Sequence, residues 1–117
     1  MEKFVRIAYL FDFYQDLLTD KQRDLLKAYY LEDFSLGELS EQHKISRQSV
    51  FDTVKKAEQK LLDYEDKLHL FAKHQEEQLI LRHIKNLCDA VTMNLSREKS
   101  QEIHEVITLV EGLINRV

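Results

Sequence analysis

Proline is absent from this 117-residue chain, and glycine occurs only at Gly37 and Gly112. Sheet proteins need turn residues at nearly every corner, so these two scarcities argue against an all-β fold. They also leave few helix stops. Apolar residues recur at three- and four-residue steps along almost the whole chain, the period of amphipathic helices. The expected fold class is all-α, with five to six helices. Apolar residues make up 44% of the chain and charged residues 32%, a balance suited to a folded, water-soluble chain. A single cysteine, Cys88, allows neither an internal disulfide nor a thiolate metal site. No apolar run nears the roughly 18 residues of a membrane span, and the start of the chain lacks a signal-peptide pattern. A cytoplasmic protein without membrane insertion is expected.

Helix starts are legible. Thr19 with Gln22, and Ser35 with Glu38, form capping-box patterns, and Ser46 is a third cap candidate. The first stripe is Phe4, Ile7, Ala8, Phe11, Tyr14 and Leu18; the second helix carries Leu25, Leu26, Tyr29 and Tyr30 and is expected to end near 32–34. A short helix after Ser35 and a longer one after Ser46 leave room only for a tight turn at about His43–Ile45. Val54, Ala57, Leu61, Tyr64, Leu68 and Phe71 then alternate three- and four-residue steps, a heptad seam whose register fails at 73–78. Ile80, Ile84, Leu87, Cys88, Val91 and Leu95 form the next stripe. A last one runs from Ile103 through Val106, Ile107, Val110, Leu113 and Ile114 to Val117, so the end of the chain reads as an antiparallel helical hairpin. The seam has two readings: the inner face of a helix packed on the first helix, or the interface of a homodimer.

The net charge is −4, yet it is unevenly spread. Residues 44–60 hold Lys44, Arg47, Lys55, Lys56 and Lys60 against Asp52 and Glu58, a local +3, while 61–78 carry −3. Screening hides charges beyond about 8 Å at physiological salt, so the local value governs a polyanion's view of the chain.

A short helix, a tight turn and a longer helix opening Ser46-Arg47-Gln48-Ser49-Val50 describe a helix-turn-helix. Leu36, Leu39, Ile45, Val50 and Val54 are apolar where the two helices must touch. On a helical wheel Val50, Val54 and Ala57 face inward, and Gln48, Asp52, Lys55, Lys56 and Gln59 face outward, with Ser49 at the edge. Gln48, Ser49 and Asp52 are therefore the candidate base readers, and Arg47, Lys55 and Lys56 the candidate phosphate contacts. Asp52 repels phosphate unless it accepts from a cytosine amino group.

Residues 10–71 resemble the YlxM family of small bacterial proteins, also called UPF0122, most tellingly in FDFYQDLLTDKQ (11–22), YYLEDFSL (29–36), ISRQSVFD (45–52) and LLDYEDKLHL (61–70). More distantly, 19–60 is similar to region 4 of the sigma-70 family, which reads the promoter −35 element. The resemblance implies a sigma-70 region 4-like helix-turn-helix bundle that binds double-stranded DNA. It also implies a role in, or in regulation of, the signal recognition particle secretion pathway. Ser40 stands where the family usually has Ala. His43 and Lys44 stand where it has an apolar residue followed by Gly or Asn. His43 is expected to be half-buried. A left-handed Lys costs about 1 kcal/mol.

The expected organisation is a helix-turn-helix unit at 1–60 and a helical extension at 61–117 for oligomerisation or partner contact. Phe11, Phe13, Tyr14, Tyr29, Tyr30 and Phe34 read as core, since they lie on apolar stripes. His69 and His74 are five apart, off the i,i+4 step of helical metal ligands, so no metal is expected. Nor are a cofactor or catalytic residues, because no catalytic constellation is visible. The alternative function is an accessory protein that uses the same scaffold to bind a protein or RNA component of the signal recognition particle.

Overall fold

Thr19, Ser35 and Ser46 each open a helix. In the computed structural model, which describes residues 1–115, the Thr19 hydroxyl accepts from Gln22 N and the Gln22 side chain accepts from Thr19 N. Ser35 and Glu38 repeat this reciprocal box, and the Ser46 hydroxyl accepts from Ser49 N. The helices are α1 (Lys3–Tyr14), α2 (Asp20–Tyr30), α3 (Leu36–His43), α4 (Arg47–Leu68), α5 (Leu70–Thr92) and α6 (Arg97–Ile114). A 3₁₀ turn, Gln15–Leu17, joins α1 to α2. Among the described residues there is no strand. No helix among them is long and apolar enough to cross a membrane. Helix α2 stops at Tyr30, a little before the expected end, and Asp33 turns through a left-handed conformation before the Ser35 cap. Val117, the last residue of the final stripe, lies outside the described residues.

The chain divides into two units, Met1–Phe71 and Ala72–Val117. The expected boundary at 60/61 moves because the whole length of α4 belongs to the first unit. Ile7, Leu10, Phe11 and Tyr14 of α1 and Leu25 and Leu26 of α2 are buried together with Leu39, Val50, Val54, Ala57 and Leu61. The seam of α4 is therefore the inner face of a packed helix. It is not an interface between copies: Val54, Ala57 and Leu61 are core, and Tyr64 packs against it. The aromatics belong to this core or pack on it, with Phe13 near Phe71 and Tyr14 near Tyr64.

The register of the seam was expected to fail at 73–78, but the helix breaks earlier, at His69, which is left-handed with φ 55°. A buried cluster explains the position. Tyr14 Oη donates to Glu65 Oε1 at 2.7 Å, and the same carboxylate oxygen accepts from Phe71 N at 3.0 Å. Tyr14 Oη in turn accepts from Leu70 N at 3.1 Å. The first amides of a helix have no partner within it, and here two of them are met by side chains of α1 and α4. The chain can thus leave α4 and start α5 inside the core.

Tyr14 and Tyr30 both ionise above the ordinary value of 10.0. Burial is the main cause, followed by hydrogen bonds to Glu65 and Glu58 respectively. The folded chain therefore keeps these protons when the unfolded chain has released them. Their contribution to stability is complete below pH 10 and is lost as the pH rises through the folded-state values. Urea midpoints should fall steeply above about pH 10, less so in Tyr30→Phe, with the two phenols titrating last by ultraviolet absorbance.

Candidate nucleic-acid interface

The turn between α3 and α4 holds only Lys44, Ile45 and Ser46. Lys44 caps α3 in a left-handed conformation, φ 55° and ψ 43°, with its amide bonded to the Ser40 carbonyl. Ser40 then serves the turn twice: its carbonyl also accepts from Ile45 N at 3.2 Å, and its hydroxyl donates to the Ile45 carbonyl at 2.5 Å. This is a use for Ser40 that sequence reading did not supply. His43 is exposed, not half-buried; Ile45 is the apolar residue of the turn and packs against the core. Replacing Lys44 by Gly removes the left-handed cost and should stabilise the first unit by about 1 kcal/mol, a rise in Tm of roughly 4–8 °C in calorimetry.

Leu39 and Val50 are fully buried where α3 meets α4, which holds the start of α4 at the surface. Gln48, Asp52, Lys55, Lys56 and Gln59 are exposed along its outer side. Gln48 Nε2 donates to Asp52 Oδ1 at 2.9 Å, so these two candidate readers are joined one turn apart. Ser49 is half-buried, its amide held by the Ser46 cap and its carbonyl by Thr53. Lys56 projects from the helix with no ion-pair partner among the described residues.

Two of the candidate cations are turned aside. The Arg47 guanidinium lies against the first turn of α3, so close that a methyl group on Gly37 would sit 3.0 Å from Nη2. Glycine at 37 is what admits it, and it places a positive charge next to the amide-rich start of a helix. Lys55 Nζ lies 3.5 Å from Glu58 Oε2 and 5.5 Å from the Phe51 ring centroid. Glu58 is buried, accepts from the Tyr30 hydroxyl, and also pairs with Lys3 at 3.4 Å. Lys55 and Glu58 therefore offset one another, and the local +3 is carried by Lys44, Arg47, Lys56 and Lys60 against Asp52.

Phe51 was missed by sequence reading. It is 41% exposed beside the outer face and rims a recess of about 220 Å³ with Tyr29, Tyr30 and Leu36. Its signal was present: an aromatic at an angle between the inner and outer sides of α4 cannot be wholly buried. Among the described residues no His, Cys, Asp and Glu side chains group as a metal set. Cys88 is half-buried on α5.

A short braced helix, a three-residue turn and a long helix with an exposed polar face define a helix-turn-helix protein. The family model described as "Putative helix-turn-helix protein, YlxM / p13 like" matches residues 1–110, and the chain belongs to that family, UPF0122. It is 43% identical over 113 residues to the UPF0122 protein YlxM of Bacillus subtilis, covering 97% of this chain and 94% of that one. A UPF0122 protein of Bacillus mycoides is 45% identical over 115 residues, 97% of this chain and 98% of its own. Another, from Oceanobacillus iheyensis, is 52% identical over 85 residues, 73% of this chain and 81% of its own.

Proposed function

We propose that this protein is a regulatory helix-turn-helix protein that binds double-stranded DNA through the start of α4. The observation that carries the reading is the exposed outer face of α4. Gln48, Asp52 and Lys56 stand there together, Arg47 sits at the entry, and the apolar side is locked against α3. In such motifs the N-terminal residues of the second helix enter the major groove. Gln48 offers an amide of the type that pairs with adenine, and Asp52 holds its orientation. Lys56 suits a phosphate, and Arg47, exposed in the first turn of α4, is a second candidate phosphate contact once it swings away from Gly37. The likeness of 19–60 to sigma-70 region 4 supports the same reading.

The expected affinity is low. Four basic side chains and one acid on the presented segment allow few phosphate contacts, and each contact adds about 0.9 to the salt slope. Fluorescence anisotropy with labelled duplex at about 50 mM salt should show binding that weakens with salt. Arg47→Ala/Lys55→Ala/Lys56→Ala should abolish it, with Lys56 contributing more than Lys55. No binding at that salt overturns the reading.

One observation favours a second reading. Asp52 on the outer face and the pairing of Lys55 with Glu58 leave little positive surface, which suits a protein or structured-RNA partner. Through the YlxM family resemblance, that partner is a component of the signal recognition particle. Recovery of that particle's protein or RNA, with no duplex binding, separates the two.

A further inference from the structure

The second unit has a thin interior. No α5 side chain after Phe71 is fully buried, and on α6 only Ile107 and Val110 are. Two buried side chains are few for a helical pair of this length. The side of α5 that meets α6 is marked by half-buried Gln78, Leu81, Lys85, Cys88 and Thr92. Gln78 Nε2 donates to the Leu113 carbonyl at 3.1 Å, and Lys85 pairs with Glu111 at 3.3 Å, so the helices run antiparallel. That inner seam is half polar.

Most of the expected stripe of α5 faces outward instead, with Cys88 on the inner seam. Ile80, Ile84, Leu87 and Val91 step by four, three and four, and all are exposed. They lie roughly 110° round the helix from the inner seam, at about 100° per residue. The apolar residues of helix α6 divide: Ile103, Ile107 and Val110 turn inward, while Val106, Leu109 and Leu113 are exposed at steps of three and four. Both outer stripes are reached by rotating in the same sense from the inner seam. In antiparallel helices, equal rotations of this kind point to the same side of the pair. The opposite flanks confirm the sense: Arg82 and Asn86 of α5 and Glu111 and Asn115 of α6 line one common polar cleft of about 530 Å³. The apolar stripes therefore share the other side.

We propose that this face is the interface of a homodimer, two hairpins closing into a four-helix bundle. Steps of three and four on both helices are the spacing of side chains that interlock in such bundles. The stripes leave roughly 600 Å² of apolar surface per copy, at the top of the range for a monomer's largest patch and near the ~800 Å² per partner of a standard interface. A second copy fits the charges as well. Residues 72–117 hold six basic and seven acidic groups, so copies barely repel. Exposed Lys73 and Glu77 precede the α5 stripe, and Lys99 and Glu102 precede that of α6, at the same helical spacing. Both signs stand at each end, so a twofold-related copy meets opposite charge. The dimer does not depend on DNA binding.

Sedimentation equilibrium of the full chain tests this. The wild type should weigh twice the 14.0 kDa chain. Leu87→Glu/Leu109→Glu should weaken association at least about a hundredfold, because it buries charges without partners. Leu79→Glu, at a 70% exposed position on the other flank of α5, should leave the dimer intact. If the double glutamate variant loses helix by circular dichroism, Leu87→Ala/Leu109→Ala takes its place, with about a tenfold or greater loss expected. A wild-type monomer at roughly 100 μM overturns the proposal. So does a dimer indifferent to the paired substitutions, or one that Leu79→Glu disrupts equally.

Discussion

Glu65→Ala is expected to cost the first unit about 3 kcal/mol. The carboxylate is only 5% exposed, and one oxygen receives both the Tyr14 hydroxyl and the Phe71 amide. Truncation strands both donors in the core, at roughly 1–3 kcal/mol each. It also frees Tyr14, whose oxygen is the acceptor for the Leu70 amide. Glu65→Gln keeps an acceptor oxygen and should cost less than half as much. Tyr14→Phe removes one donor and one acceptor and should fall between the two. Urea unfolding followed by far-ultraviolet circular dichroism orders the three. A loss below about 1 kcal/mol for Glu65→Ala would mean that the start of α5 finds other partners.

Asp52→Lys is expected to raise affinity for arbitrary duplex DNA by about tenfold or more at ~50 mM salt, and to steepen the salt dependence by about one contact. The substitution changes the outer face of α4 by two charges at a solvent-exposed position, so folding is spared. Asp52→Asn separates charge from geometry. It retains an oxygen for the Gln48 amide but no longer repels phosphate, so a smaller gain in affinity should appear with Gln48 still held. Where Asp52 accepts from a cytosine amino group, both variants gain general affinity and lose preference at one base pair. Unchanged binding by both variants would place the nucleic acid elsewhere than on this face.

The caps and the turn could be read from the chain because they rest on local chemistry. A Thr or Ser followed three residues later by Gln or Glu makes the same two bonds in any fold, and both boxes form. The inward side of α4 was also legible, since Val50, Val54 and Ala57 share a helical face. What escaped reading depends on distant partners. The break at His69 is dictated by Tyr14, which lies on α1. The turning-aside of Lys55 depends on Glu58 being buried under Tyr30 and Lys3. The orientation of α5 ran against most of its apolar pattern, with Ile80, Ile84, Leu87 and Val91 exposed. Periodicity names a hydrophobic stripe, but it does not say whether that stripe is covered by a neighbouring helix or left uncovered.

The bonds of Leu70 and Phe71 to Tyr14 and Glu65 carry a consequence for hydrogen exchange. The first amides of a helix normally exchange with solvent quickly, because nothing in the helix accepts from them. These two are tied to the buried core of the first unit, so they should exchange only when that unit opens as a whole. Their exchange rate, read against the next amides of α5, reports which of the two units unfolds first.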